Sequence, residues 1–241
     1  YLLARKLYSS QTHVRKIALV TTGIFAVLFG LPLLEGNIAN SENFMLLPIL
    51  LAGYLIFNLT TTQDKKNSFH LFIAGFLLGL AFLFKVVAVF DFAAFFLFLT
   101  FITIERKINM QTLLPKLMPF CIAFALPAFV TAAFFLTKGA FFDFINAILI
   151  QMVGYVAYGN TLLFPQGLLL LKLLFLAFVT GIFFLKRNVL GNTRLFIFLW
   201  FSFAVFNAVF SQRPYTHYLL VLLPSFIYMF GLLFWKGNTK N

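Results

Sequence analysis

The sequence predicts an all-α, polytopic membrane bundle of about eight helices, and three observations predict it. Of the 241 residues 62% are apolar and only 10% are charged, against about 25% charged in soluble domains. The apolar residues gather into runs near the roughly 20 residues that cross a hydrocarbon core. Basic residues then crowd into every second connection between those runs, as they do in cytoplasmic loops. A transmembrane barrel would need polar and apolar residues to alternate every second position, whereas these runs are apolar on all sides. The single Cys121 excludes an internal disulfide. The net charge of +12 goes with a composition too apolar for a basic nucleic-acid binder, so no nucleic-acid partner is expected.

In chain order the runs are Ile17 to Leu34, Phe44 to Leu59, Leu71 to Phe84, Val86 to Ile104, Leu117 to Thr137, Gly167 to Leu185, Leu195 to Phe210 and Leu219 to Trp235. They make one transmembrane domain over 1–241. Tyr1 to Leu3 read as the tail of a further apolar segment, so the chain is expected to be the C-terminal part of a longer protein.

One set of alternate connections holds Arg5, Lys6, Arg15 and Lys16, then Lys65 and Lys66, then Arg106, Lys107 and Lys116, then Lys186, Arg187 and Arg194, then Lys236 and Lys240. The other set holds only Lys85, Lys138 and Arg213. This asymmetry puts the first set and both termini in the cytoplasm. Lys172 falls within the sixth run, from which it can snorkel outward.

The outer connections carry most of the chemistry. Glu35 to Asn43 packs two carboxylates and three amides between apolar helices. A carboxylate there can bind a divalent cation, orient a sugar hydroxyl or act as a base. Ser41 and Glu42 equally read as helix-start residues for the second run. Lys85 sits at the turn between the third and fourth runs, as a contact for a lipid phosphate or as an interfacial snorkel. Asp91 lies inside the fourth run, where an ionisable group is expensive and signals function. Six positions from Lys85 on a helix it faces another way, so the two are not expected to pair.

The connection 138–166 repeats Phe141, Ile145, Ile148, Leu149, Met152 and Val156 at helical spacing. That pattern predicts an amphipathic helix, either packed across the bundle or lying over a substrate as a lid. Ser211 to Tyr218 offers Arg213, Tyr215, His217 and Tyr218, all donors suited to phosphate oxygens. An aromatic belt accounts for the tyrosines as well, but not for Arg213 and His217 on the side poor in positive charge. No Gly-rich phosphate loop, metal-spaced Cys/His cluster or nucleophile elbow is present.

Three stretches, 36–48 (GNIANSENFMLLP), 75–85 (GFLLGLAFLFK) and 213–224 (RPYTHYLLVLLP), together resemble the GT-C superfamily of polytopic glycosyltransferases. The nearest branch is similar to bacterial protein O-mannosyltransferases and lipid A aminoarabinose transferases. The resemblance implies an enzyme of the bacterial inner membrane that moves a sugar from a polyprenyl-phosphate donor to a lipid, glycan or protein acceptor on the extracytoplasmic face. It implies a main acidic base upstream of Tyr1 and a secondary acidic role for Glu42. Lys85, Arg213, Tyr215 and His217 would bind the donor, the cations stabilising charge on its leaving phosphate. No cofactor is certain; a divalent cation held by Glu35 and Glu42 is one option. Two other classes stay open: a transporter or flippase of a lipid-linked anion, for which no repeated halves are visible, and a non-catalytic membrane subunit.

Overall fold

The computed structural model describes residues 1–60, 67–105, 110–151, 169–210 and 215–234. The fold there is helical, with no strand among the described residues. In order come α1 (Leu2–Leu7), α2 (Val14–Phe29), α3 (Ser41–Asn58), α4 (Asn67–Phe84), α5 (Val89–Glu105), α6 (Met110–Thr137), α7 (Phe141–Ile145), α8 (Leu169–Phe210) and α9 (Leu223–Gly231). Four segments among the described residues are long and apolar enough to cross a membrane: Ser41–Asn58, Val86–Ile104, Leu114–Thr137 and Leu169–Phe210. By length and composition the chain is an integral membrane protein. The α4 stretch Ser68–Phe84 falls just short of that length, and α2 and α9 have 16 and 9 residues.

Several expected boundaries move, each for a local reason. The first run was expected to continue to Leu34, but α2 stops at Phe29 with Gly30 as its C-cap. Leu31 is then extended ahead of Pro32, which opens a 3-10 turn over Pro32–Leu34, as a residue before proline prefers. Ser41 is not the cap of α3 but its first helical residue. The cap is Asn40, whose side chain accepts from the Asn43 N–H at 3.3 Å, the usual Asn role. The last run divides into a 3-10 turn, Thr216–Leu220, and α9, with Pro224 in the first turn of α9, where its missing N–H costs nothing.

The sixth and seventh runs are two helices, as expected, but they meet at a kink at Gly191 within the 42 residues of Leu169–Phe210 instead of being parted by a loop. A straight helix of that length would measure about 63 Å, about twice the hydrocarbon thickness. The backbone instead leaves helical geometry at Gly191, with φ 67° and ψ 167°, a conformation open mainly to glycine. The two arms fold back on each other. Lys172 Nζ donates to the Val209 carbonyl at 2.7 Å, and the Phe183 and Phe198 rings stack at 5.7 Å. Both pairs are centred on the same turn.

Apolar contact gains little against lipid, so helices in a membrane associate by close packing. Gly75 and Gly79 provide it between α4 and α6. A Cβ on Gly75 would lie 2.2 Å from the Phe120 carbonyl oxygen, and one on Gly79 would lie 2.4 Å from that of Phe124. On the other side of the bundle α3, α5 and the trailing arm of α8 meet through aromatic rings. Phe196 lies 5.4 Å from Phe57 and 5.2 Å from Phe95. Trp200 packs at 5.2 Å on Phe95. Leu3, Ala4, Leu7 and Tyr8 are buried. The Tyr8 hydroxyl donates to the Tyr228 carbonyl, and Thr193 Oγ1 donates to the Leu7 carbonyl at 3.1 Å.

Of the 138–166 connection, residues 138–151 are described, and they hold α7 followed by a π-turn, Asn146–Ile150. Phe142 there is 84% exposed. The remainder of the expected amphipathic helix, with Met152 and Val156, lies outside the described residues.

Candidate functional site

Three connections meet at one end of the bundle: α2 to α3, α4 to α5, and α8 to α9. The first supplies Glu35 and Glu42. Glu35 caps the Pro32–Leu34 turn in the left-handed region, at φ 57°, and is the one non-glycine with positive φ among the described residues. Such a conformation costs of order 1–3 kcal/mol and persists only where its surroundings hold it. Here the Glu35 carbonyl accepts from Asn40 Nδ2 at 3.4 Å and from Asn43 Nδ2 at 3.3 Å. Asn43 also donates to the Gly36 carbonyl at 3.1 Å. The amides that crowd this stretch are thus its internal bracing.

Glu42, in the first turn of α3, is buried. A carboxylate so placed needs a cation or donors, and α4 ends where it can supply one. Lys85 breaks the helix with an extended backbone, φ −158° and ψ 127°, before the 3-10 turn Val86–Ala88. Its ammonium forms an ion pair with Glu42 Oε1. It also lies 4.3 Å from the centre of the Tyr218 ring, a cation over an aromatic face. Ser41 Oγ donates to Glu42 Oε2 at 3.1 Å.

The third connection supplies Thr216 and His217 from the Thr216–Leu220 turn. Thr216 Oγ1 donates to Glu35 Oε1 at 3.1 Å, and His217 Nδ1 lies 2.9 Å from Glu35 Oε2. The other imidazole nitrogen, Nε2, is 3.7 Å from Glu42 Oε1. Tyr215, half exposed, stacks on the imidazole at 5.3 Å and 12°, and Tyr218 meets it edge-on at 4.8 Å. His217 therefore stands between two carboxylates and two phenol rings.

This arrangement can do two things. The imidazole, with one nitrogen toward each carboxylate, can carry a proton between them. The ammonium and imidazolium can donate to an anion's oxygens, provided that anion competes with Glu42 for Lys85. The same geometry does not suit a divalent cation shared by Glu35 and Glu42. The His217 ring separates the two carboxylates, and the Lys85 ammonium already occupies Glu42. Among the described residues no three His, Cys, Asp or Glu side chains converge to hold a metal ion.

Of the residues that the sequence singled out, Glu35, Glu42, Lys85, Tyr215 and His217 come together. Arg213 lies outside the described residues. Asp91 does not join the cluster: its Oδ1 accepts from Trp200 Nε1 at 2.7 Å, and Lys85, extended ahead of a 3-10 turn, does not share its helix. Sequence reasoning passed over Thr216 and the pairing of Glu42 with Lys85. The pairing joins residues 43 positions apart, and only helix packing brings them within reach.

No protein-family model, characterised protein or solved structure matches the chain.

Proposed function

We propose that the chain belongs to a GT-C-like glycosyltransferase, which transfers a sugar from a polyprenyl-phosphate donor to a lipid, glycan or protein acceptor on the extracytoplasmic face of a bacterial inner membrane. The observation that carries this reading is the meeting of Lys85 and His217 with Glu35 and Glu42. They come from three connections that the distribution of basic residues assigns to one face. The alternation of basic residues between connections supports eight crossings with both termini in the cytoplasm.

In this mechanism an acceptor oxygen bonds to the anomeric carbon as the bond from that carbon to the carrier phosphate breaks. Lys85, Arg213 and His217 hold the departing phosphate, where donors aimed at developing charge do most for the rate. Tyr215 covers the imidazole and lines the donor. Glu42 holds Lys85 until the donor arrives, then shares its proton economy with His217 and Glu35. The acceptor's proton goes to a carboxylate in the segment that the resemblance expects upstream of Tyr1. No step is routed through a metal.

One observation favours a second reading, that of a non-catalytic membrane subunit: Glu42 with Lys85, and Glu35 with Thr216 and His217, already satisfy one another as a structural brace would. The deciding experiment reconstitutes the protein in vesicles with a labelled polyprenyl-phosphate sugar and follows release of the label to acceptors. Arg213→Ala and His217→Gln are expected to lower donor use by about 100-fold, the scale of losing one charge-stabilising donor, and to affect acceptor use less. Equal losses toward donor and acceptor would remove the phosphate role. Donor binding and transfer unaffected by either substitution would leave the brace.

A further inference from the structure

The hairpin of α8 encloses a cavity that lies apart from the cluster around Glu42. Its volume is about 420 Å³, within the range of sites that hold small ligands. Its walls are apolar, formed by Phe175, Phe183, Phe198, Phe201, Val205 and Met229 among others. The leading arm faces outward, with Phe175 and Phe178 both 66% exposed, so the cavity lies open to acyl chains of the surrounding bilayer.

Lys172 closes one end of this apolar space. An ammonium has three donors, and one of them goes to the Val209 carbonyl. Among the described residues no carboxylate pairs with Lys172. A lysine within a membrane helix is costly unless it finds water or a partner. Its level in the bundle follows from its neighbours. Asn207 Nδ2 donates to the Val87 carbonyl at 3.3 Å and Phe210 packs on Phe90 at 5.1 Å. Lys172 therefore lies toward the end where Lys85 breaks the chain, at the depth of lipid headgroups rather than mid-membrane.

We infer that this cavity binds one anionic glycerophospholipid of the bilayer, with an acyl chain between the arms of α8 and its phosphate at Lys172. The single cation at the mouth of an otherwise apolar groove selects a ligand that is anionic at one end and hydrocarbon along the rest. The inference is independent of the transferase mechanism, since none of the residues that line the cavity belongs to the cluster around His217.

The test is native mass spectrometry of the full chain in detergent with equimolar phosphatidylglycerol and phosphatidylcholine of identical acyl chains. The expected result is one retained phosphatidylglycerol in preference to phosphatidylcholine. Lys172→Gln lowers that preference about fivefold, the scale of one basic residue near an anionic surface. Lys172→Arg keeps it, and Val205→Trp reduces retention of both lipids by filling the groove. Equal retention of the two lipids by the unaltered chain overturns the inference even if the variants fail to fold. So does a preference that Lys172→Gln leaves intact. Displacement of the bound lipid by stoichiometric polyprenyl phosphate would also overturn it, making the cavity a carrier site instead.

Discussion

Trp200 Nε1 donates to Asp91 Oδ1 at 2.7 Å, which ties the trailing arm of α8 to α5 through a buried carboxylate. Asp91 Oδ2 has no hydrogen-bond partner among the described residues. The indole is therefore the one side-chain donor to Asp91 among those residues, and it stands on the ring cluster that joins α5 to α8. Trp200→Phe keeps an aromatic ring against Phe95 and Phe196 but removes that donor. The expected cost is about 1–3 kcal/mol, that of stranding a buried acceptor. Pairing it with Asp91→Leu should recover most of the loss, because removing both partners is far cheaper than removing one. Thermal unfolding in detergent checks both; a double variant no more stable than Trp200→Phe would show that Asp91 does more than meet the indole.

Glu42 and Lys85 make the second prediction. Because Glu42 is buried, Lys85→Ala leaves its carboxylate with only Ser41 Oγ and the more distant His217 Nε2 and should destabilise by about 3 kcal/mol, the low end for breaking a buried pair. The combined Glu42→Leu and Lys85→Met variant should come back close to the parent, since apolar residues of similar volume replace a buried pair at little cost. A double-mutant cycle of unfolding free energies measures the coupling. A coupling near zero would mean that the ion pair does not hold α3 against the end of α4.

Gly79 gives the third. Its missing side chain lets α4 approach the Phe124 carbonyl and Pro127 on α6. Gly79→Val would have to push the helices apart or bend one, at about 1–3 kcal/mol for overpacking. The same substitution at Gly181, where a Cβ would meet nothing within 4 Å, should have much less effect on melting. Comparable losses at both positions would point to a backbone effect instead of helix contact.

The helical class was legible because apolarity over every run leaves a membrane chain few alternatives. The cluster was legible in part. Basic residues are scarce on the face assigned to the outside, so Lys85 and His217 stood out, and Glu35 and Glu42 stood out as two of six acids in the whole chain. Which of them pair was not legible, because pairing depends on how α3, α4 and the Thr216–Leu220 turn pack. Pro32 and Gly30 did announce the end of α2, and hydropathy overrode them because Leu31, Leu33 and Leu34 are apolar. Gly75 and Gly79 carried a small-xxx-small spacing that hydropathy does not register. Gly191 was hidden for the opposite reason: a basic stretch looks like a loop, yet helix runs up to this single residue and resumes after it.

The bond from Tyr8 to Tyr228 spans 220 positions, and that separation sets an order of assembly. At about 5–20 residues per second of synthesis, the phenol waits roughly 10–40 s for its acceptor to emerge and insert. Until then the end of α1 lacks this contact, since α9 is synthesised more than 200 residues after it. The hydroxyl must be sheltered meanwhile by lipid or by an insertion partner. A chain that stalls before α9 therefore keeps the earlier described helices but leaves the Tyr8 hydroxyl without this acceptor.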